Sequence, residues 1–136
     1  MIAPRYLLDS DTCIYLRRKR PAEAVRRFAA LAPGEAVISV IAYGELRYGA
    51  AKQGTRRSLE ALDEFVALIP VQPLPLLAAA AYGELRATLE RRGEMIGNND
   101  LWIAAHALTA GLTVVTNNER EFRRVPGLMV ENWVAA

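Results

Sequence analysis

Short apolar runs alternate with segments of helical spacing along the whole chain. Runs of three or four residues predict buried strands at residues 6–8, 36–38, 113–116 and 128–130. Between them, apolar residues recur every three or four positions, which predicts helices over residues 12–19, 21–31, 40–51, 59–69, 78–92 and 100–110. Strands separated by helices imply right-handed crossovers. The pattern therefore predicts an α/β fold in three α/β/α layers with a central, mainly parallel sheet.

Residues with special capping properties mark the ends of several helices. Ser39 follows the second strand and is well placed to cap the next helix. Gly93 and Gly111 fit helix C-termini, where a left-handed residue is favoured. The proline-rich segment PVQPLP at 70–75 is predicted to be an extended link.

Length and composition indicate one domain, spanning residues 1–136. With 136 residues, of which 52% are hydrophobic, the chain suffices for one core. No apolar run reaches the roughly 20 residues that cross a bilayer, and no signal peptide is recognisable, so a cytoplasmic protein without membrane contact is expected. Cys13 is the only cysteine, which excludes an internal disulfide and a cysteine-rich zinc site.

The net charge of +2 is ordinary, but the types of basic residue in the chain are unusual. Of the 17 basic residues, 15 are arginine, and many are adjacent in sequence. Arginine donates paired hydrogen bonds to phosphate, so Arg17, Arg18 and Arg20 are candidate contacts to a nucleic-acid backbone. Solvated helix faces or an arginine-rich genome explain the same composition equally well.

Polar residues follow two of the predicted strands directly. Asp9 and Asp11 come after the first strand, and Thr116 and Asn118 end a later one. In a parallel sheet, binding sites form at the carboxyl ends of strands, so the two clusters are expected to converge. The alternative is that the aspartates cap the following helix, which fits Asp11 better than Asp9.

Two further acids occupy informative positions. Glu45 lies on a helix face where an apolar residue is expected, and a buried carboxylate needs a compensating partner. That partner is either a ligand or an arginine such as Arg47 or Arg5. Asp100 opens a helix, where an acid also complements the helix dipole without any other function.

Several carboxylates in one crevice would repel one another. Two charges about 4 Å apart cost roughly 4 kcal/mol at an effective dielectric near 20, and a divalent cation reverses that sign. Oxygen ligands without a histidine or cysteine cluster favour Mg²⁺ or Mn²⁺ over zinc. His106 is the sole histidine and is interpreted as structural, so a nucleophilic triad is unsupported.

Two families share features with this pattern. The DSD opening resembles the first motif of haloacid-dehalogenase-type phosphatases, but Thr12 comes one place early and Cys13 holds the fifth position. Nearly the whole chain resembles PIN-domain ribonucleases, in particular the VapC-type toxins of toxin–antitoxin pairs. The resemblance lies in five segments, in family order: YLLDSDTCIYL, VISVIAYGELRYGA, GELRA at residues 83–87, GEMIGNNDLWIAAHAL and LTVVTNNEREFRRVPGLMVENW.

The resemblance implies a PIN-like fold and a role for each polar residue. Asp9, Glu45 and Asp100 would be the acidic ligands of Mg²⁺ or Mn²⁺. Thr116 would position the site, and Asp11 would act on it indirectly. Many PIN domains carry aspartate where this chain has Asn118, so the fourth acidic position is open between Asn118 as a positioning group and Glu121 as a catalytic carboxylate.

The resemblance also implies a reaction and partners. The chain would be a metal-dependent endoribonuclease toxin that cleaves tRNA or another structured RNA. A cognate VapB-type antitoxin would neutralise it, and a homodimer would form a heterotetramer or larger complex that binds operator DNA through the antitoxin. The alternative is a non-catalytic PIN partner in such a repressor complex, because of the altered fourth position.

Overall fold

The computed structural model describes residues 2–134, which form a five-stranded sheet and seven helices. The strands are β1 (Tyr6–Leu8), β2 (Ala36–Ser39), β3 (Val71–Gln72), β4 (Thr113–Val115) and β5 (Val130–Glu131). The helices are α1 (Ser10–Arg17), α2 (Ala22–Ala29), α3 (Val40–Gln53), α4 (Arg56–Leu68), α5 (Ala78–Arg92), α6 (Asn98–Ala110) and α7 (Glu119–Phe122). This is the predicted α/β class.

All strand pairs are parallel, in the order β3-β2-β1-β4-β5. The central strand β1 pairs with β2 on one side and β4 on the other, with Tyr6 opposite both Ala36 and Thr113. Because β1 and β4 run in the same direction, the residues that follow them lie at one edge of the sheet.

Alternate strand residues point into two separate cores, one on each face of the sheet. Leu7 and Val114 pack with residues of α5 and α6, whereas Leu8 and Val115 pack with residues of α1, α2, α3 and α4. Side chains of a strand alternate between faces, so short strands suffice to divide the helices into two layers. The three-layer prediction is confirmed.

The predicted helix ends are mostly confirmed. Ser39 is the N-cap of α3, and its hydroxyl accepts a hydrogen bond from the backbone N–H of Ile41 at 3.1 Å. Gly93 and Gly111 end α5 and α6 with φ of 67° and 69°, a left-handed conformation that glycine adopts without a steric cost. Cys13 is fully buried and packs in the core on the α1–α4 side of the sheet.

Two short elements differ from the prediction. The segment 70–75 is not only a link, because Val71 and Gln72 form the edge strand β3 beside β2. Helix α7 was not predicted at all, since one turn is too short to establish a periodic pattern. The last strand begins at Val130 rather than Leu128, because its pairing with Val114 sets its register. None of the helices within residues 2–134 is both long and apolar enough to cross a membrane.

Candidate active site

The carboxyl ends of β1 and β4 bring Asp9 and Thr116 together, as the sequence predicted. Asp9 is 5% exposed, and Thr116 is fully buried. The Thr116 hydroxyl donates to Oδ2 of Asp9 at 2.9 Å, and the backbone N–H of Ser10 donates to Oδ1 at 2.8 Å. Both oxygens of Asp9 are therefore held by neutral donors, which orient the carboxylate without cancelling its charge.

Asp11 does not cap the helix that follows β1, so that interpretation was wrong. The N-cap of α1 is Asp9, and Asp11 lies in the first turn of the helix. Its carboxylate accepts hydrogen bonds from the backbone N–H of Asn117 at 3.1 Å and from the hydroxyl of Thr12 at 3.3 Å. Asp11 thus fastens the turn after β4 to α1, beside Thr116.

Glu45 reaches the same region from α3. The proposed ion pairs of Glu45 with Arg47 or Arg5 are not formed, because Arg47 lies 3.9 Å from Asp63 and Arg5 lies 3.0 Å from Glu35. Among the described residues, Oε1 of Glu45 is buried and accepts no hydrogen bond. Burial raises the pKa of Glu45, an effect that the nearby side chains of Ser10 and Asn99 oppose. A buried carboxylate oxygen without a partner is costly unless a ligand supplies one.

Asp100 comes from the first turn of α6, which the sequence had predicted to begin at Asp100 itself. Its Oδ2 accepts a hydrogen bond from the side-chain amide of Asn118 at 3.1 Å. The same amide nitrogen donates to Glu121, whose other oxygen accepts from the backbone N–H of Gly97 at 3.1 Å. Asn118 therefore joins Asp100 to Glu121, which agrees with a positioning role for the amide.

Asp9, Glu45 and Asp100 influence one another electrostatically. Burial, then the carboxylate of Asp11, raises the pKa of Asp9 to about 7. Burial also raises the pKa of Asp100, and the carboxylates of Glu121, Asp9 and Glu45 add to this effect. A cleft of about 420 Å³ opens between Glu45 and the first turn of α6. Glu45 and Asp100 thus line one cleft, and Asp9 is near enough to both to interact with them electrostatically.

The acids of the cleft lack cationic partners. Within residues 2–134, none of Asp9, Asp11, Glu45, Asp100 and Glu121 forms an ion pair with arginine or lysine. The cluster therefore retains its mutual repulsion whenever its members are ionised, and a hard divalent cation relieves that repulsion best.

The donor set fits such a cation, although its members are not gathered around one point. No group of three or more acidic, histidine or cysteine side chains in the described part of the chain is already close enough together to hold a metal ion. The donors are nevertheless carboxylate oxygens, and Glu45, whose Oε1 accepts no hydrogen bond from the described residues, lines the cleft. Oxygen donors of this type match Mg²⁺ or Mn²⁺.

Two of the three arginines suggested for RNA binding lie on a second feature, a groove on the α1–α4 side of the molecule. This groove of about 680 Å³ includes Arg17 and Arg18 in its lining and also touches Glu45. The guanidinium of Arg17 lies 6.0 Å from the ring centre of Phe65. Arg20 is exposed and does not line the groove. RNA contact by the three arginines stays a prediction.

Some residues of the site carried no signal in the sequence. Ser10 and Gly97 contribute backbone N–H groups, which any residue type supplies. The side chain of Asn99 lowers the pKa of Glu45. The sequence does not indicate this contact, because Asn99 meets Glu45 only when α3 packs on α6. His106 is buried, in agreement with the structural role predicted for it.

Comparison with known proteins places this architecture in a defined group. Residues 6–128 match the family described as PIN domain. The chain is 40% identical over 131 residues to ribonuclease VapC2 of Haemophilus influenzae, with 96% of this chain and 98% of the relative covered. It is 42% identical over 130 residues to the tRNA(fMet)-specific endonuclease VapC of Shigella flexneri, with 95% and 98% covered.

Solved structures of toxin–antitoxin complexes are similar over the same length. The crystal structure of VapBC2 from Rickettsia felis bound to a promoter DNA fragment contains a similar chain, with a TM-score of 0.85 and 37% identity over 97% of this chain and 99% of that one. The DNA-bound VapBC of Salmonella typhimurium gives a TM-score of 0.87 at 38% identity, with 96% and 98% covered.

Proposed function

The chain belongs to the PIN domain family, and with that as the premise we propose that it is a Mg²⁺-dependent endoribonuclease that hydrolyses RNA phosphodiester bonds. Relatives that align along nearly their whole length are named ribonucleases or endonucleases. One observation carries the proposal: a buried acid that follows β1 and two half-buried acids from α3 and α6 act on one another electrostatically, and none of the three forms an ion pair with arginine or lysine within residues 2–134. Asp9, Glu45 and Asp100 would hold the metal.

Each side chain of the site has a separate task in this reaction. Mg²⁺, when bound, lowers the pKa of a coordinated water and neutralises charge that develops on the scissile phosphate. Thr116 keeps the carboxylate of Asp9 oriented through its 2.9 Å hydrogen bond, and Asn118 does the same for Asp100 at 3.1 Å. Asp11 holds the turn that carries Thr116 and Asn117. Products with 5′-phosphate and 3′-hydroxyl ends are expected.

We propose tRNA as the substrate class, with initiator tRNA as the first candidate. A relative with 42% identity is named a tRNA(fMet)-specific endonuclease. Sequence-specific proteins read RNA where bases are splayed out of a helix, so cleavage in a single-stranded loop is expected. Arg17, Arg18 and Arg20 would contact the phosphates beside that loop through their guanidinium groups.

Cleavage should require a divalent metal. Purified protein incubated with initiator tRNA and Mg²⁺ is expected to produce one discrete cut, and elongator methionine tRNA serves as the matched control. EDTA should lower the rate at least about 100-fold, and added Mg²⁺ or Mn²⁺ should restore it, because the acids repel one another and the phosphate without the ion. Mapping the 5′ ends of the products locates the cut. Cleavage that persists in EDTA would contradict the proposal.

A second candidate function is a non-catalytic role in an operator-binding complex. Two solved VapBC complexes with similar chains contain DNA, and Asn118 replaces a carboxylate in this chain's site with an amide. A protein that binds its antitoxin and operator DNA but leaves every tRNA uncut in Mg²⁺ would favour this alternative.

We propose that a VapB-type antitoxin binds in the groove lined by α1, α2, α3 and α4. The groove is apolar along Ile14, Phe28 and Phe65, is basic at Arg17 and Arg18, and ends beside Glu45. A segment with apolar residues and flanking acids complements that surface, and its end would obstruct the active site. The related chains with solved structures are parts of VapBC complexes.

Ile14→Asp is expected to weaken antitoxin binding at least about 10-fold, because it places a charge on the apolar wall of the groove. Ile14 is 38% exposed, so the substitution should be tolerated by the fold. The control is Met129→Asp, which adds the same charge at a side chain that is 62% exposed and outside the groove. Calorimetric titration measures both affinities, and equal losses would exclude the groove as the antitoxin-binding site.

Light scattering of the same samples tests the predicted homodimer and heterotetramer.

A further inference from the structure

The start of α6 lacks the contact that its sequence would ordinarily form. Gly97 is the N-cap and has no side-chain oxygen, and Asp100 is the third helical residue after Asn98 and Asn99. In a capping box, an acidic or amide side chain at this third position accepts a hydrogen bond from the backbone N–H of the N-cap residue. Asp100 would therefore be expected to turn back toward Gly97.

Glu121 occupies that position instead. Its Oε1 accepts the hydrogen bond from the backbone N–H of Gly97 at 3.1 Å, although it belongs to α7. Arg124, also from the α7 region, donates to the backbone carbonyl of Met95 at 2.8 Å. The loop before α6 is thus held by two contacts from outside the helix, and the N–H that Asp100 would take is already satisfied.

The same carboxylate also orients the group that holds Asp100. Oε2 of Glu121 accepts from the side-chain amide of Asn118, and this amide nitrogen donates to Oδ2 of Asp100 at 3.1 Å. A carboxylate accepts at both oxygens, so it serves Gly97 and Asn118 simultaneously, whereas an amide can do so at only one of its two ends.

The carboxylate of Asp100 lies near the capping position at Gly97. A methyl group built at Gly97 would lie 3.7 Å from Oδ2 of Asp100, so the carboxylate already lies beside the N-cap residue. Because only one acceptor is needed there, the two carboxylates compete for the Gly97 N–H.

We propose that Glu121 is a positioning residue that keeps Asp100 turned toward Asp9 and Glu45 by occupying the backbone N–H of Gly97, and that it is not a metal ligand. The inference rests on the proposed function, in which Asp100 binds the metal. Without Glu121, Asp100 would occupy the capping position most of the time. The apparent metal affinity would then fall in proportion to the fraction of molecules in which Asp100 still faces the metal site.

The test uses Mn²⁺ alone, titrated calorimetrically into the metal-free full-length protein. Glu121→Ala is expected to raise the dissociation constant about 10- to 100-fold, the usual range for a residue that orients a ligand. Glu121→Gln should cause a smaller loss, because its amide oxygen still accepts from Gly97. The matched control is Glu119→Ala on the same helix, an acid whose hydrogen bonds go to Arg123 and Asn132. It should bind Mn²⁺ like the wild type.

Cleavage kinetics also distinguish a positioning role of Glu121 from a role as a metal ligand. In Glu121→Ala the Mg²⁺ concentration for half-maximal cleavage should rise 10- to 100-fold, while kcat at saturating Mg²⁺ stays within about 3-fold of the wild type, because the ion draws Asp100 back. A direct ligand would behave like Asp100→Asn, which is expected to lose kcat at every Mg²⁺ concentration.

A crystal structure of metal-free Glu121→Ala gives the most direct result. The carboxylate of Asp100 is expected within hydrogen-bond distance of the Gly97 nitrogen, and an Asp100 that has not moved would overturn the inference. Equal Mn²⁺ affinity of Glu121→Gln and Glu121→Ala would also overturn it, since charge at residue 121 would then be what matters. If the wild type itself binds no Mn²⁺, the proposed function fails together with the inference. If it binds but Glu121→Ala binds equally well, the inference alone fails.

Discussion

Asp9→Asn is expected to lower kcat/KM for RNA cleavage at least about 100-fold while the protein remains folded. Removing one preorganised charged group from an active site ordinarily costs two to three orders of magnitude. Asp9 is the most buried acid of the site, and its orientation is fixed by Ser10 and Thr116. Asparagine has the same shape but lacks the charge that would hold the metal.

The surroundings of Asp9 can accommodate this substitution. The backbone N–H of Ser10 can donate to the asparagine oxygen as it does to Oδ1 of Asp9. The Thr116 hydroxyl can accept from the new amide group and turn its own hydrogen toward Oδ2 of Asp11, which lies 3.5 Å away. Ser10 and Thr116 each keep a hydrogen-bond partner, so the loss of activity should not come from unfolding.

Asp63→Asn provides the matched control for Asp9→Asn. Asp63 is an exposed acid on α4, so it makes the same change of charge outside the cleft. Its rate of initiator tRNA cleavage should equal that of the wild type. A rate for Asp9→Asn within a few-fold of the wild type, with unchanged dependence on Mg²⁺, would show that the acid cluster is not the active site.

Asp9→Asn should also make the metal-free protein more stable at pH 8, by up to about 4 kcal/mol. The pKa of Asp9 is raised from 3.8 to about 7, and each pKa unit corresponds to about 1.4 kcal/mol. Because the folded-state pKa lies above the unfolded one, the folded state binds this proton more tightly. The stabilising contribution is therefore complete below about pH 4 and is lost as the pH rises through about 7.

The difference in unfolding free energy between Asp9→Asn and the wild type measures this effect, together with the part of the raised pKa of Asp100 that the charge of Asp9 causes. Burial lowers the pKa of His106, which opposes the trend below its ordinary pKa of 6.5, but His106 is common to both proteins and cancels in the difference. The variant should match the wild type near pH 4 and exceed it at pH 8, with a Tm higher by up to about 14 °C. Denaturant titrations in EDTA measure the free energies.

Mg²⁺ should reverse the ranking, because a bound cation stabilises only the folded state that has the intact site. Adding it at pH 8 is expected to raise the Tm of the wild type and to leave Asp9→Asn unchanged. Asp63→Asn should respond to Mg²⁺ like the wild type. If metal-free Asp9→Asn were less stable than the wild type at pH 8, the charge of Asp9 would not destabilise the folded protein, and the proposed repulsion among the carboxylates would be wrong.

Local sequence was informative wherever one residue type has one dominant physical preference. Ser39 was predicted as a cap because its hydroxyl can replace a missing backbone acceptor, and Gly111 as a helix end because its left-handed conformation favours glycine. Helix α7 was missed, and strand β3 was taken for part of an extended link. Their four and two residues are too few to establish a periodic pattern. Their existence depends on neighbours that are distant in sequence.

The partners of the acids were less predictable than the acids themselves. The sequence left open whether Glu45 would meet an arginine, and in the folded chain Arg47 lies near Asp63 while Oε1 of Glu45 stays unpartnered. Helix capping was one alternative for Asp11, but the N-cap is Asp9, and Asp11 accepts a hydrogen bond from Asn117. Such choices depend on side-chain directions and distances of a few ångströms, which spacing along the chain does not specify.

By itself, the sequence determined the alternation of strands and helices, the parallel three-layer class and the family, because these follow from the spacing of apolar residues and from motifs in order. Only the tertiary structure decided that Glu121 meets Gly97, that Asn118 joins Asp100 to Glu121, and that the acids of the cleft form no ion pair with arginine or lysine within residues 2–134. The physical reason is that hydrogen bonds and charge interactions act over a few ångströms between residues that the fold brings together from 18 to more than 100 positions apart.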